Sequence, residues 1–281
     1  MKEQLREVMS QFYADGVPHD MIGRAGRFPE IRNNATVIKG MRRTGKTYFT
    51  YLRMQELLAQ GIPLERLVHV NFDDDRLSAL SSENLHLLVD LHAEMFPEAA
   101  GQLCYYFLDE LQDVRGWERF ARRLVDSHRV QLCVTGSSSR MLSADIATEM
   151  RGRSVEVEIF PLSFAEYLSY NGIFREMPSL VDAPRVRGKL RKAFADYMVC
   201  GGFPDVQGLD TTTRIMLLQG YVDAVVYRDI LERHEVGSVQ SLKYVLQYLL
   251  QNFGRKVSVR AMANVLKQLS LPHDREMLGD Y

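Results

Sequence analysis

One short segment, residues 40–47, has the residue types and spacing of a phosphate-binding loop. It consists of Gly40-Met41-Arg42-Arg43-Thr44-Gly45-Lys46-Thr47, the pattern G-x-x-x-x-G-K-[ST]. Glycines allow the tight turn in which successive N–H groups point at one phosphate chain, the lysine reaches the β- and γ-phosphates, and the threonine hydroxyl ligates Mg²⁺. We therefore predict a nucleoside triphosphate site, with Thr47 also a metal ligand. The predicted nucleotide-binding residues in this segment are Gly40, Arg43, Thr44, Gly45, Lys46 and Thr47.

The sequence on either side of this loop predicts the elements that the loop requires. The apolar run Ala35-Thr36-Val37-Ile38 indicates a short buried strand before it, and residues 46–59 have helical periodicity that ends near Gly61. The phosphates would then lie at the N-terminus of a helix, where unpaired N–H groups and the helix dipole favour anions. Strand, loop and helix together support the triphosphate site.

A second segment, Tyr105-Tyr106-Phe107-Leu108-Asp109-Glu110, is an apolar strand that ends in two acids. In a phosphate-loop enzyme an Asp at this strand end holds Mg²⁺, and an adjacent Glu can act as a general base on the attacking water. Taken alone, the segment could equally be a strand that enters a polar turn. Its place downstream of the loop favours the functional interpretation, with Asp109 as a metal residue and Glu110 and Lys46 as catalytic residues. An additional strand at 67–72 between the two motifs suits the class in which that glutamate is catalytic.

Two other polar features have interpretations that the sequence leaves open. Thr135 and Ser137 end a predicted strand, where they would sense the γ-phosphate or position water; a serine-rich turn that caps the next helix is the alternative. Arg153 precedes the last predicted strand. It could act as an arginine finger on the nucleotide of its own or a neighbouring subunit, or be a solvated surface arginine.

The predicted elements alternate in the first part of the chain and are only helical in the second. Predicted strands lie at 35–39, 67–72, 103–108, 130–135 and 155–160, with helices between them. This alternation predicts an α/β fold with a five-stranded parallel sheet and helices on both faces. After Pro161 the periodicity is helical throughout, in segments near 164–170, 185–200, 212–235, 239–252 and 258–269. We place a domain boundary near residue 161.

The composition limits the classes of partner. Among 281 residues, 35 Lys and Arg nearly balance 36 Asp and Glu, so net charge predicts neither nucleic-acid nor membrane binding, and any such surface must be local. Cys104, Cys133 and Cys200 lack metal-ligand spacing, and we predict that the first two are buried free thiols. The sequence shows no signal peptide and no run of 18 apolar residues, which predicts a soluble, cytoplasmic protein without membrane contact.

Further segments occur in an order that is typical of one protein family. They are Val70-Asn71-Phe72-Asp73-Asp74, Leu108-Asp109-Glu110-Leu111-Gln112-Asp113 with Trp117, Thr135-Gly136-Ser137-Ser138, Gly152-Arg153, Phe160-Pro161-Leu162-Ser163-Phe164-Ala165-Glu166-Tyr167, Gly201-Gly202-Phe203-Pro204 and Tyr227-Arg228-Asp229-Ile230. In this order they resemble the AAA+-superfamily ATPases of bacteria and archaea that continue into a C-terminal domain of unknown function. The similarity covers nearly the whole chain from about residue 20.

The resemblance implies an AAA+-like P-loop NTPase core followed by a helical region, with ATP and Mg²⁺ bound. Carried over to this chain, Lys46 and Thr47 contact phosphate and metal, Asp109 the metal, and Glu110 the water. Arg153 is the family-like arginine. Such proteins usually continue into a winged-helix segment and a nuclease-like fold. Since the chain stops at Tyr281, we expect a truncated C-terminal domain and predict no nuclease activity. The predicted domains are an ATPase core with an N-terminal helix at 1–161, a helical lid-like domain at 162–236 and the start of a winged helix at 237–281.

These observations give a leading hypothesis and two alternatives. The first is a Mg²⁺-dependent ATPase that uses its nucleotide state to move the helical domain. The second is a nucleotide-gated module that binds DNA or a partner protein and hydrolyses ATP slowly. Basic residues near the predicted winged helix favour this hypothesis, and their other interpretation is solvated surface charge. These basic residues are Arg228, Arg233, Arg255, Lys256 and Arg260. The third is a small-molecule kinase, for which no acceptor site is recognisable. AAA+ resemblance also suggests a homo-oligomer, although family members need not form rings.

Overall fold

The computed structural model describes residues 1–281 except positions 20, 30, 32, 138–149, 151, 175–183, 232–235, 273–277 and 279–281. Five strands form its sheet: β1 (Ala35–Gly40), β2 (Leu67–Asn71), β3 (Cys104–Asp109), β4 (Val130–Ser137) and β5 (Ser154–Glu158). Their order is β2-β3-β4-β1-β5, and every neighbouring pair is parallel. The predicted five-stranded parallel sheet is confirmed. Because β4 lies between β1 and β3, the two motif-bearing strands are next-but-one neighbours whose carboxyl ends share one edge.

Helices cover both faces of this sheet. They are α1 (Lys2–Asp15), α2 (Lys46–Ala59), α3 (His86–Met95) and α4 (Trp117–Asp126). Val37 packs in a cluster with residues of α1, α3 and α4, whereas the adjacent Ile38 packs in a cluster with residues of α2. Successive strand side chains point to opposite faces, so this division places α2 on one face and the other three helices on the opposite face. Helices on both faces are therefore confirmed.

The edge strand β5 differs from the inner strands in composition. Its residues are half-buried or exposed, whereas β1 is almost wholly buried. Glu156 on β5 accepts a 2.6 Å hydrogen bond from Lys39 of β1. Charged side chains on an edge strand discourage pairing with a further strand. The outer edge of the sheet at β5 is therefore suited to contact with solvent rather than to pairing with a strand of another chain.

One predicted helix is confirmed in its range, and another changes its helical type. The helix predicted within 82–96 forms at His86–Met95, after a 3₁₀ turn at Ser82–Asn84. Asn84 donates a side-chain hydrogen bond to Ser81, and such local polar contacts compete with helix formation. The segment predicted at about 212–235 forms α7 (Thr211–Ala224) and continues as a π-helix at Val225–Leu231.

The chain divides into two compact units, Met1–Leu209 and Asp210–Tyr281. The first contains the sheet together with α5 (Phe164–Tyr170) and α6 (Pro184–Cys200), and the second contains α7, α8 (Val239–Gln251) and α9 (Val259–Gln268). The helical C-terminal region is confirmed, while the boundaries near 161 and 236 and the winged helix stay predictions. Most of the predicted second helix that starts at Leu271 lies outside the described residues. No helix in the described part of the chain is long and apolar enough to cross a membrane. All three cysteines are free and buried, as predicted for Cys104 and Cys133.

His69 on β2 is buried in an aromatic environment, and its burial should make the stability of the fold depend on pH. Its ring lies 5.0 Å from the Tyr51 ring and 5.4 Å from the Phe12 ring, and its Nε2 has no hydrogen-bond partner among the described residues. Burial lowers the pKa of His69 to about 4 from its ordinary 6.5. Between these values the unfolded chain binds a proton that the folded chain does not, so the free energy of unfolding falls as pH falls.

We expect His69→Phe to remove part of this pH dependence. A difference of 2.5 pKa units corresponds to about 3 kcal/mol at 1.36 kcal/mol per unit. The unfolding free energy of each protein is measured with denaturant at pH 7 and at pH 4. Its decrease from pH 7 to pH 4 should be larger in the wild type than in His69→Phe by roughly this amount. Phe is a suitable replacement because the neighbouring rings are aromatic. Equal losses in the two proteins would show that His69 does not stay neutral in the fold.

Candidate nucleotide-binding site

The backbone of residues 40–47 is shaped by its glycines. Gly40 ends β1, and a Cβ atom there would lie 2.3 Å from the carbonyl oxygen of Ile159, so only glycine fits. Gly45 has φ 90° and directly precedes α2, and Arg43 is also left-handed at φ 64°. Left-handed backbone is unfavourable for a residue with a Cβ and tends to persist at functional sites. The turn presents the N-terminus of α2, with its unpaired N–H groups, as an anion site.

Lys46 is buried although it is charged. Its side chain is 5% exposed, and Nζ donates to the carbonyl oxygens of Gly40 at 3.1 Å and Met41 at 3.2 Å. Nζ also lies 3.7 Å from Glu110 Oε1. A buried ammonium needs such oxygen partners, because desolvation of an unpaired charge is costly. The same donors can transfer to phosphate oxygens when a nucleotide occupies the loop.

Thr47 and Asp109 join the phosphate loop to the end of β3. The hydroxyl of Thr47, at the start of α2, donates to Asp109 Oδ2 at 2.5 Å, although β4 lies between β3 and the strand β1 that precedes the loop. Thr135 at the end of β4 is fully buried and donates to Asp109 Oδ1, and its Oγ1 accepts from the Glu110 N–H at 3.2 Å. A hydroxyl and a carboxylate side by side are the oxygen ligands that Mg²⁺ prefers, alongside phosphates and water. Thr47 and Asp109 are therefore the residues that would hold the metal, and Thr135 orients the acidic pair.

Ser137 and Arg153 lie at opposite edges of the sheet. Ser137 pairs with Gly40 in the register of β4 and β1, which places its backbone beside the loop; its side chain lies outside the described residues. Arg153 precedes β5, whose first residue Ser154 pairs with Ala35 at the far end of β1. At about 3.3 Å per residue, β1 separates this end from the loop by about 16 Å. Arg153 Nε donates to Asp126 at 2.9 Å. Arg153 therefore lies at the end of β1 away from its own phosphate loop, and its role as an arginine finger stays a prediction.

The structure adds Arg24 and Glu166, to which the sequence analysis assigned no role, although Glu166 belongs to the family-like segment 160–167. Arg24 donates to the carbonyl oxygens of Thr44 in the loop at 3.3 Å and of Phe160 after β5 at 2.5 Å. Its Nε lies 3.0 Å from Glu166 Oε1, and both side chains are about one-tenth exposed. Glu166 also completes the capping box that begins α5. One buried ion pair thus ties the N-terminal connection, the phosphate loop and the first helix after the sheet together.

The environment of Glu166 sets its charge state. Burial raises the pKa of this carboxyl, but hydrogen bonds from the N–H groups of Ser163 and Ala25 and the nearby charge of Arg24 outweigh it, so the net pKa is lowered. Burial lowers the pKa of Arg24, and Glu166 opposes that effect. The two groups therefore stabilise each other's charged forms. No local sequence signal could have found this pair, since its members are far apart in the chain.

A second ion pair involves the phosphate loop itself. Arg43 donates to Asp205 Oδ2 at 3.1 Å, and both side chains are about half-exposed. Asp205 follows the segment Gly201-Gly202-Phe203-Pro204. Gly202 is packed so closely that a Cβ would lie 2.3 Å from the carbonyl oxygen of Leu162. The loop therefore contacts the helical segment that follows β5 through side chains from two different places.

Comparisons with known proteins find two family models and several relatives. The model of the AAA domain matches residues 32–168, and that of a domain of unknown function matches residues 191–275. The uncharacterized protein MJ1544 of Methanocaldococcus jannaschii is 31% identical over 253 residues, which cover 89% of this chain and 54% of that protein. An uncharacterized protein of Haemophilus influenzae is 30% identical over 246 residues, 87% of this chain and 58% of that protein. This chain spans little more than half the length of these curated relatives.

A search of solved structures finds the structure of C. elegans PCH-2. It is 16% identical in sequence, with a TM-score of 0.41, and the match covers 70% of this chain and 56% of that chain.

Proposed function

We propose that this chain, whose residues 32–168 match the model of the AAA domain, is a Mg²⁺-dependent ATPase whose nucleotide state moves the helical segment that follows β5. The observation that supports hydrolysis most strongly is the convergence of two motifs at one edge of the sheet. Thr47 of the loop donates to Asp109, and Lys46 lies 3.7 Å from Glu110. A loop that only held phosphate would need no second acid, Glu110, beside the buried Asp109.

Each residue of this site has a distinct task in the proposed reaction. The N–H groups of residues 43–47 and the Lys46 ammonium hold the β- and γ-phosphates. Thr47 and Asp109 hold Mg²⁺, which when bound neutralises phosphate charge. Glu110 accepts a proton from the attacking water. In the same step the water oxygen bonds to the γ-phosphorus, and the bond between that phosphorus and the oxygen of the β-phosphate breaks. Thr135 keeps Asp109 and the Glu110 backbone in place for these steps.

The contacts of the loop with the helical segment support a mechanical use of the nucleotide. Arg43 is paired with Asp205, and the loop carbonyl of Thr44 accepts from Arg24, which is paired with Glu166 of α5. A γ-phosphate that attracts Arg43 would compete with Asp205 for it. Binding and hydrolysis would thereby change how the segment around Asp205 contacts the loop. We propose that this exchange couples the nucleotide state to movement.

Arg153 is proposed to act between subunits. It is about 38% exposed and lies at the edge of the sheet opposite its own loop. An arginine supplied by a neighbouring subunit can stabilise charge in the transition state of phosphoryl transfer. Its partner Asp126 is likewise about half-exposed, so the pair can separate at low cost.

The experiment that tests these proposals measures ATP turnover and molecular mass together, with and without ATP and Mg²⁺. Turnover that requires Mg²⁺ supports the ATPase, and absence of both ATP binding and turnover overturns it. An increase in mass with nucleotide supports a role for Arg153 between subunits. A monomer that turns over ATP at a rate independent of protein concentration counts against that role but leaves the ATPase standing.

A second candidate function, nucleic-acid binding, is favoured by one specific observation in the second unit. Residues 236–272 contain five Lys or Arg and no Asp or Glu. Phe253, in the turn between α8 and α9, is 91% exposed. Exposed cations attract phosphates, and an exposed aromatic ring can stack on a base. The exposed basic residues around this turn are Arg255, Lys256, Arg260 and Lys267.

We expect a steep salt dependence if this surface binds single-stranded DNA. Each neutralised phosphate contributes about 0.7 to the slope of log K against log salt for single strands, so Arg255→Gln with Lys256→Gln should lower the slope by about 1.4. Fluorescence anisotropy with a labelled oligonucleotide at several salt concentrations measures this slope. Arg119→Gln with Arg129→Gln, which removes two exposed cations of the first unit, is the matched control. Absent or salt-independent binding would reject the candidate.

A further inference from the structure

Gln112 places its side-chain amide against the carboxylate of Glu110. Its Nε2 donates a hydrogen bond to Glu110 Oε2. Its Oε1 is buried and has no hydrogen-bond partner among the described residues. An ionised carboxylate only accepts hydrogen bonds, so the nitrogen of the amide must face it and the oxygen must point elsewhere. The contact therefore fixes which atom of Gln112 is left without a partner.

The backbone after β3 explains how a residue two positions away can reach Glu110. Glu110 adopts a left-handed conformation with φ 53°, and a 3₁₀ turn follows at Leu111–Asp113. The Asp113 N–H donates to the Glu110 carbonyl oxygen at 3.1 Å, which closes the turn. Leu111 within it is fully buried. The turn is thus held by the core, and it directs the Gln112 side chain back towards the acid.

The two oxygens of Glu110 have different partners. Oε1 lies 3.7 Å from the Lys46 ammonium, and Oε2 accepts from Gln112. In the proposed reaction the Lys46 ammonium binds phosphate, so that it interacts less strongly with Glu110 once the nucleotide is bound. Gln112 lies outside the phosphate loop and has no part in the proposed binding of phosphate. It is the contact that can hold Glu110 in one orientation throughout the cycle.

We propose that Gln112 is the positioning residue for Glu110 and holds its carboxylate in the orientation that proton transfer from water requires. This inference rests on the proposed ATPase function. A buried carbonyl oxygen without a donor is costly, which favours a role for the Gln112–Glu110 contact at the site over a role in stability alone. Gln112 thereby orients the base without taking a proton itself.

The test replaces Gln112 with Met, which has a similar length but no hydrogen-bonding amide. We expect the kcat for ATP to fall by about 10- to 100-fold, since a small misplacement of a catalytic group costs up to about this much. The Kd for ATP should change less than about twofold, because among the described residues the side-chain hydrogen bond of Gln112 goes to Glu110 and not to the loop or the predicted metal ligands. Gln102→Met is the matched control: Gln102 is exposed, and its side-chain amide donates to the carbonyl oxygen of Glu98 at 2.9 Å.

A double-substitution cycle separates positioning from a structural role. If Gln112 acts through Glu110, Gln112→Met should cause no further loss of single-turnover rate in a Glu110→Gln background. Losses that multiply, or an increase in the Kd for ATP that matches the loss in kcat, would overturn the proposal. So would a Gln112→Met protein with wild-type turnover, which would leave the ATPase intact. A wild-type chain that hydrolyses no ATP would instead overturn the proposed function and this inference with it.

Discussion

Glu110→Gln is expected to reduce ATP turnover by about 10²- to 10⁴-fold, the usual contribution of a general base. The amide has nearly the shape of the carboxylate but cannot accept the proton of the attacking water. Lys46, Thr47 and Asp109 retain their places, so ATP and Mg²⁺ should still bind. The variant should therefore trap ATP, which can be measured as unhydrolysed nucleotide that remains with the protein after gel filtration.

The control for this prediction is Glu83→Gln, which makes the same change at an exposed position in a 3₁₀ turn. It should hydrolyse ATP at the wild-type rate. A Glu110→Gln protein with turnover close to that of Glu83→Gln would contradict the assignment of the base. A Glu110→Gln protein that no longer binds ATP would indicate that Glu110 serves the assembly of the site rather than the chemistry.

The sequence alone singles out residues 40–47, Asp109 and Glu110 as candidates because their proposed chemistry depends on local patterns. A strand, a glycine turn and a helix are encoded by neighbouring residues, and an apolar strand that ends in two acids is equally local. The parallel sheet was predictable for the same reason, since strands and helices alternate. The strand order β2-β3-β4-β1-β5, which brings Thr47 to Asp109, was visible only in the structure.

The remaining site residues could not be predicted because their partners are set by the fold or by an unusual backbone. Arg24 contacts Phe160, 136 positions away, and Glu166 accepts from the N–H of Ala25, 141 positions away. Gln112 is close to Glu110 in sequence, but its contact depends on the left-handed conformation of Glu110. An acid at the end of a strand gives no sign of that conformation. Polar residues of this kind are seen only once their surroundings are known.

Arg24→Met is expected to lower the unfolding free energy of the first unit by about 3 kcal/mol, the lower end of the loss when one partner of a buried ion pair is removed. Glu166 would remain buried without its cation, although the N–H groups of Ala25 and Ser163 would still donate to it. For a unit of this size the melting temperature should fall by about 6–12 °C. The Kd for ATP should rise as well, because Arg24 also donates to the loop carbonyl of Thr44.

Arg6→Met supplies the matched comparison for the buried pair. Arg6 and Glu94 form an ion pair at 2.7 Å, but their side chains are 46% and 44% exposed. Exposed pairs of this kind contribute about 0–1 kcal/mol, because water and salt screen them. The melting temperature of Arg6→Met should therefore stay within a few degrees of the wild type. Equal shifts in the two variants would show that burial does not distinguish the Arg24–Glu166 pair, and its proposed role in connecting loop and helix would be lost.

The most direct test of the central claim is the release of inorganic phosphate from ATP by the wild-type chain and by Glu110→Gln, each with Mg²⁺ and with EDTA. The account predicts release by the wild type with Mg²⁺ and only background release in the other three reactions. Release that persists in EDTA or in Glu110→Gln, or no release by a wild-type chain that binds ATP, would contradict it.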